Sequence, residues 1–130
     1  MKFFLTDYSR DFYGDREPRE RRGKFIQVRS GDSEHLVFAP REMCTFHANI
    51  AERFFDALGF SGRYNRKRDH FTPRAAGWEI VGGGHWSAED IKKELELSGT
   101  SMAYGRFDPE GLLERLSRIK ALSGYTIHIK

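Results

Sequence analysis

At 130 residues the chain suits one domain with a buried core, and 38% hydrophobic and 14% aromatic residues exclude a disordered polypeptide. A net charge of +3 suits an anionic ligand but is too small to argue for DNA binding by itself. The single cysteine, Cys44, excludes an internal disulfide and fits a reducing cytoplasm; the apolar run in MKFFLTDYSR is too short for a signal peptide, and no stretch approaches a membrane span.

Met1–Tyr8 reads as a short strand or a loosely packed arm. Ser9–Gly23, charged and turn-rich with Pro18 and the run Arg19–Arg22, reads as a solvated or flexible segment. Lys24–Arg29 alternates as a strand does, with Phe25, Gln27 and Arg29 on one face and Ile26 and Val28 on the other. A turn at Gly31-Asp32 leads to a second strand over Glu34–Ala39, which makes a hairpin. The clearest helix follows, with a stripe of Phe46, Ile50, Phe54, Ala57 and Leu58 and a stop at Gly59. Its start has two readings. Pro40 suits the first turn of a longer helix, and Thr45 suits an N-cap that leaves amides near His47 open to a ligand.

Arg63–Phe71 alternates weakly and is predicted as one strand of a long hairpin that ends in WEIV, Trp78–Val81. SAEDIKKELELSG carries conflicting signals. Ser87 with Asp90 resembles a capping box, whereas Glu94 to Leu97 alternates with period two, so a strand over Lys93–Gly99 is predicted, with room for one helical turn before it. Asp108 and Pro109 open a helix whose stripe is Leu112, Leu113, Leu116, Ile119 and Leu122; Gly124 stops it, and Tyr125–Lys130 is a closing strand. The expected fold is a single α/β domain, a mixed sheet with a helix packed on each face.

The segments FHANI and SGTSMAYG (Ser98–Gly105) hold the chemistry. Small and hydroxyl residues let a loop turn sharply and aim several N–H groups at one point, and a helix N-terminus facing such a loop is a site for phosphate. His47, in the positive field of that terminus, is expected to stay neutral near pH 7, as a base or nucleophile must; the ordinary alternative is a histidine packed at the core boundary. Lys24 either reaches an anion over the sheet end or is a plain strand-end lysine. Ser101, Met102 and Ala103 either donate to phosphoryl oxygens or merely permit the turn. Gly82–Gly84 is no dinucleotide or P-loop fingerprint and implies close backbone approach or a bulge. The five histidines show no paired metal-binding spacing, and neither metal nor cofactor is expected. Cys44 is expected to be a buried thiol.

FHANI, EIVGGG (Glu79–Gly84) and SMAYG (Ser101–Gly105), in that order, resemble the phosphohistidine phosphatase (Janus/Ocnus) family from Lys24 to Lys130, with extra residues between Gly59 and Gly77. The resemblance favours the helix start at Thr45 and implies metal-independent hydrolysis of the P–N bond of phosphohistidine in a protein or peptide. It makes His47 the general base or nucleophile, with Lys24, Ala48, His85, Ser101, Met102 and Ala103 around the phosphate. It also implies departures: His85 stands where family members carry arginine, and Phe46 replaces the usual tyrosine. His85 is a candidate proton donor to the departing imidazole. A monomer without membrane contact is expected.

The other reading is a non-catalytic module that binds phosphate, an acidic partner or RNA. Its footing would be the basic insertion, residues 60–76, where Arg63, Arg66, Lys67 and Arg68 interleave with aromatics. Outward-facing solvated charge is the plainer account of that insertion. A phosphatase acting on small molecules or on phospholysine would use the same site.

Overall fold

The computed structural model describes residues 1–130. Eight strands and three helices follow one another as β1 (Lys2–Asp7), α1 (Ser9–Tyr13), β2 (Glu20–Ser30), β3 (Ser33–Pro40), α2 (His47–Ala57), β4 (Gly62–Tyr64), β5 (Phe71–Pro73), β6 (Trp78–Glu89), β7 (Glu94–Ser98), α3 (Leu112–Ser117) and β8 (Thr126–Ile129). Six strands form one mixed sheet in the order β1-β3-β2-β6-β7-β8, parallel at the two outer pairs and antiparallel within. This is the expected α/β domain. No helix is long and apolar enough to cross a membrane.

The alternation of β2 divides the core. Ile26 and Val28, with Val37 and Ala39 of β3, pack under Ile50, Ala51, Phe54 and Phe55 of α2. Phe25, with Leu36 and Phe38, faces the other way and joins Trp86, Leu95 and Leu97 against Phe107, Leu112 and Leu116. The larger helices thus cover opposite faces, α2 one and α3 the other, and the short α1 lies beside β3. Burying side chains of this size contributes about 1.5–3 kcal/mol each.

The α3 face also holds a closed polar cluster. Glu34 is fully buried, and its carboxylate accepts from Arg29 at 2.8 Å, Arg115 at 2.7 Å and Gln27 at 3.0 Å. Gln27 exchanges hydrogen bonds with the backbone of Asp108 in both directions, and Arg29 reaches the Asp108 carboxylate at 3.0 Å. Two guanidinium groups and one amide thus offset the desolvation of one carboxylate.

Several expectations are corrected. Ser9–Gly23 is not a loose segment: it forms α1, a single 3-10 turn at Gly14–Arg16 and the start of β2. Arg21 there pairs with Asp90 through two nitrogens, at 2.6 and 3.1 Å. The stripe of α2 is rotated, so that Ala48, Ala51 and Phe55 are buried while Phe46, Ala57 and Leu58 are exposed. Arg63–Phe71 is not one long strand paired with WEIV; β4 and β5 pair with each other as a separate ribbon. Ser87 lies within β6, and the segment before β7 is a turn with Lys93 at φ 52, not a helical turn. The last helix is shorter than expected at both ends: Gly111 at φ 69 delays its start, it ends at Ser117, and Lys120–Leu122 forms a separate 3-10 turn; Leu113 is exposed.

Candidate functional site

Lys24 and His85 are cross-strand partners on β2 and β6, on the face that α2 covers. The glycines of β6 let the rest of the site approach. A Cβ on Gly83 would lie 2.9 Å from the His47 ring and 3.3 Å from the Ser101 side chain, so its absence lets the imidazole and the 101–105 turn settle on the sheet. A Cβ on Gly82 would meet the Arg106 carbonyl at 2.2 Å. Gln27 faces Gly82 but Val28 faces Ile80, so Val81 is left unpaired as a bulge in β6 beside these glycines. Close approach and a bulge thus both occur here.

The helix begins one residue later than expected. Phe46 is the N-cap and His47 the first helical residue; Thr45 provides no side-chain cap, and its carbonyl accepts from the Lys24 ammonium. The Asn49 side chain accepts the Phe46 N–H at 2.9 Å, and the Asn49 N–H donates to the Phe46 carbonyl at 3.0 Å. The N–H groups of His47 and Ala48 have no acceptor within the protein.

The methionine-containing turn is held by reciprocal bonds between Ser101 and Gly105, at 3.1 and 2.7 Å, and by Gly83 donating to the Gly105 carbonyl at 3.0 Å. Ser101 is turned inward, 2% exposed, and its hydroxyl accepts the Tyr104 N–H at 3.1 Å. It braces the turn and does not line the cavity. The N–H groups of Met102 and Ala103 make no internal hydrogen bond, while the Met102 side chain is fully exposed.

A cavity of about 490 Å³ lies between these parts, with His47, Lys24, His85, Met102 and Ala103 on its wall. The Ala48 side chain is instead in the core. The sequence reading missed the rest of the lining, which is Asn65, Asp69 and His70 of the insertion with Phe46 and Thr100. The separation of Asn65 and Asp69 by four residues in a turn was the available signal, because it permits side-chain closure of the turn; nothing in the sequence said where that turn would dock. Lys24 and His85 also line a second cavity of about 660 Å³, shared with Arg22 and Arg41.

His47 is 7% exposed, and its Nε2 lies 2.9 Å from the Gly84 carbonyl. A carbonyl only accepts, so Nε2 carries the proton and Nδ1 keeps its lone pair in the neutral ring. Burial pushes the His47 pKa down to about 4, against the Gly84 carbonyl, with the Lys24 charge and then His85 adding to the decrease as the two rings compete for a proton. The ring is neutral at pH 7, and burial is the largest cause. His85 is also lowered, by burial and then by Lys24, so it is a neutral hydrogen-bonding group and a poor source of a proton at pH 7. Burial raises the Cys44 thiol, which stays protonated. No three His, Cys, Asp or Glu side chains converge as a metal site would require.

The insertion is fastened to the site. The Tyr104 hydroxyl donates to the Phe71 carbonyl at 2.6 Å and accepts the Phe71 N–H at 3.0 Å, and the Tyr104 ring packs on His70 with centroids 4.8 Å apart. Among known proteins, no family model and no curated sequence matches the chain significantly.

Proposed function

We propose that the protein is a metal-independent phosphatase that hydrolyses the P–N bond of phosphohistidine in a protein or peptide. The observation that carries this reading is a neutral imidazole with a free Nδ1 beside one ammonium and a set of unpaired N–H groups, all around one cavity. The resemblance of FHANI, EIVGGG and SMAYG to phosphohistidine phosphatases supports the choice of substrate.

The phosphoryl oxygens take hydrogen bonds from Met102 and Ala103, from the first amides of α2 and from Lys24, which neutralise charge where it develops. His47 Nδ1 accepts a proton from water as the water oxygen bonds to phosphorus, or it attacks phosphorus itself and is hydrolysed afterwards. The P–N bond breaks in either route, and its electron pair leaves with the nitrogen. Phosphate release from a phosphohistidine peptide, with chelator present, tests this. His47→Ala is expected to lower the rate roughly a hundred- to ten-thousandfold. Equal rates for wild type and variant would remove the assignment.

The second reading, a binding module for an acidic partner or RNA, is favoured by the insertion, where Arg63, Arg66, Lys67 and Arg68 form no ion pair with any carboxylate. It expects salt-sensitive binding that survives His47→Ala and falls when Arg66, Lys67 and Arg68 are neutralised.

A further inference from the structure

The turn between β4 and β5 is organised around one side chain. Asn65 Oδ1 accepts the N–H groups of Asp69 and His70, each at 3.0 Å, and Asn65 Nδ2 donates to Asp69 Oδ1 at 2.7 Å. The Asn65 N–H donates to the His70 carbonyl at 2.9 Å, which closes the loop. Its base is pinned by Tyr64, whose hydroxyl donates to Glu52 at 2.6 Å and accepts from Asn49 at 3.3 Å, and by the Tyr104–Phe71 pair. This is a rigid rim for the site.

Asp69 has unusual company. Arg66, Lys67 and Arg68 precede it directly, yet none forms an ion pair with it; the Arg68 guanidinium lies 4.4 Å from the Tyr64 ring centroid instead. The half-buried carboxylate is on the cavity wall, with Oδ1 held by Asn65 and Oδ2 without a protein partner. The cavity is therefore bipolar. Lys24 and the unpaired N–H groups suit an anion, and Asp69, in the same lining but not ion-paired with Lys24, suits a cation or a hydrogen-bond donor. A phosphate ester uses only the first set of groups. A phosphoramidate whose leaving group carries a proton uses both.

We propose that Asp69 accepts a hydrogen bond from the protonated leaving group of the substrate, so that the insertion selects phosphoramidates that carry positive charge beyond the P–N bond. This rests on the hydrolytic reading above. For a phosphohistidine side chain, the proton sits on the ring nitrogen that is not bonded to phosphorus. Water oxygen bonds to phosphorus and gives its proton to His47 Nδ1. The P–N electron pair returns to the ring, which departs as neutral imidazole and keeps its other proton. Asp69 keeps that proton on the ring, so the group that leaves is neutral imidazole and not imidazolate, and the gain is confined to leaving groups that need the proton.

Asp69→Asn retains an oxygen for the bond from Asn65 and removes the charge, which spares the turn. The variant is compared with wild type on two substrates, a phosphohistidine peptide and a nitro-substituted phosphoimidazole whose leaving group departs without a proton. The expected loss in kcat/KM is roughly ten- to hundredfold on the peptide and less than about twofold on the nitro compound. Equal losses on both substrates, or none on the peptide, would overturn the proposal. A wild type inactive on both sinks the hydrolytic reading and this one with it, whereas an active wild type matched by Asp69→Asn on the peptide sinks this one alone.

Discussion

The two faces of the sheet handle polar groups in opposite ways. On the α3 face, Glu34 is buried with three donors on its carboxylate, and Gln27 meets both backbone groups of Asp108. On the α2 face, the N–H groups of His47, Met102 and Ala103 and one imidazole nitrogen are left without protein partners around a cavity. Met102 is exposed, so its donor is open to solvent and available to an outside ligand. The first face satisfies its polar groups internally, and the second leaves donors free.

Substitutions on the two faces should differ in kind. The largest stability effect is expected on the closed face: Glu34→Ala leaves two guanidinium groups and an amide without their acceptor and should cost about 3–5 kcal/mol in denaturant unfolding. A loss below about 1 kcal/mol would mean that solvent replaces the carboxylate. On the open face, acid should reveal His47. An imidazole with an ordinary pKa near 6.5 in the unfolded chain and about 4 in the folded one binds its proton first when unfolded. Stability should therefore fall as pH drops from 6.5 to 4, by about 3 kcal/mol in all, and His47→Gln should flatten that slope. A smaller effect is expected at the glycine that seats the ring. Gly83→Ala places a methyl 2.5 Å from the Phe25 carbonyl and 2.9 Å from the His47 ring, which should cost about 1–3 kcal/mol and lower phosphate release more than it lowers the melting temperature.

Strong period-two runs and clear turn residues made much of the fold legible. β2, β3, β7 and β8 follow the alternation of the sequence, and the split of Phe25 from Ile26 across the sheet was visible in advance. The errors share a cause. Leu58 and Leu113 are apolar and at helical spacing, yet tertiary packing turned them outward, which periodicity alone does not register. Ser9–Gly23 looked like a solvated segment because its order comes from Arg21 pairing with Asp90, 69 positions away. At the site, Lys24, His47, His85, Met102 and Ala103 were named in advance and line one cavity, whereas Ser101 turned inward to cap its own loop. Asn65, Asp69 and His70 went unnoticed because their position depends on Tyr104 gripping Phe71, a contact between segments with no shared pattern.

The neutral, correctly oriented imidazole beside a phosphate-binding surface is the premise of the whole account, and nitrogen-15 NMR of the His47 ring reads it directly. The expected spectrum at pH 7 shows a proton on Nε2 only, with no second protonation until about pH 4, and added phosphate should shift the His47, Ala48, Met102 and Ala103 amides together. A proton on Nδ1, titration near 6.5, or amides indifferent to phosphate would contradict it.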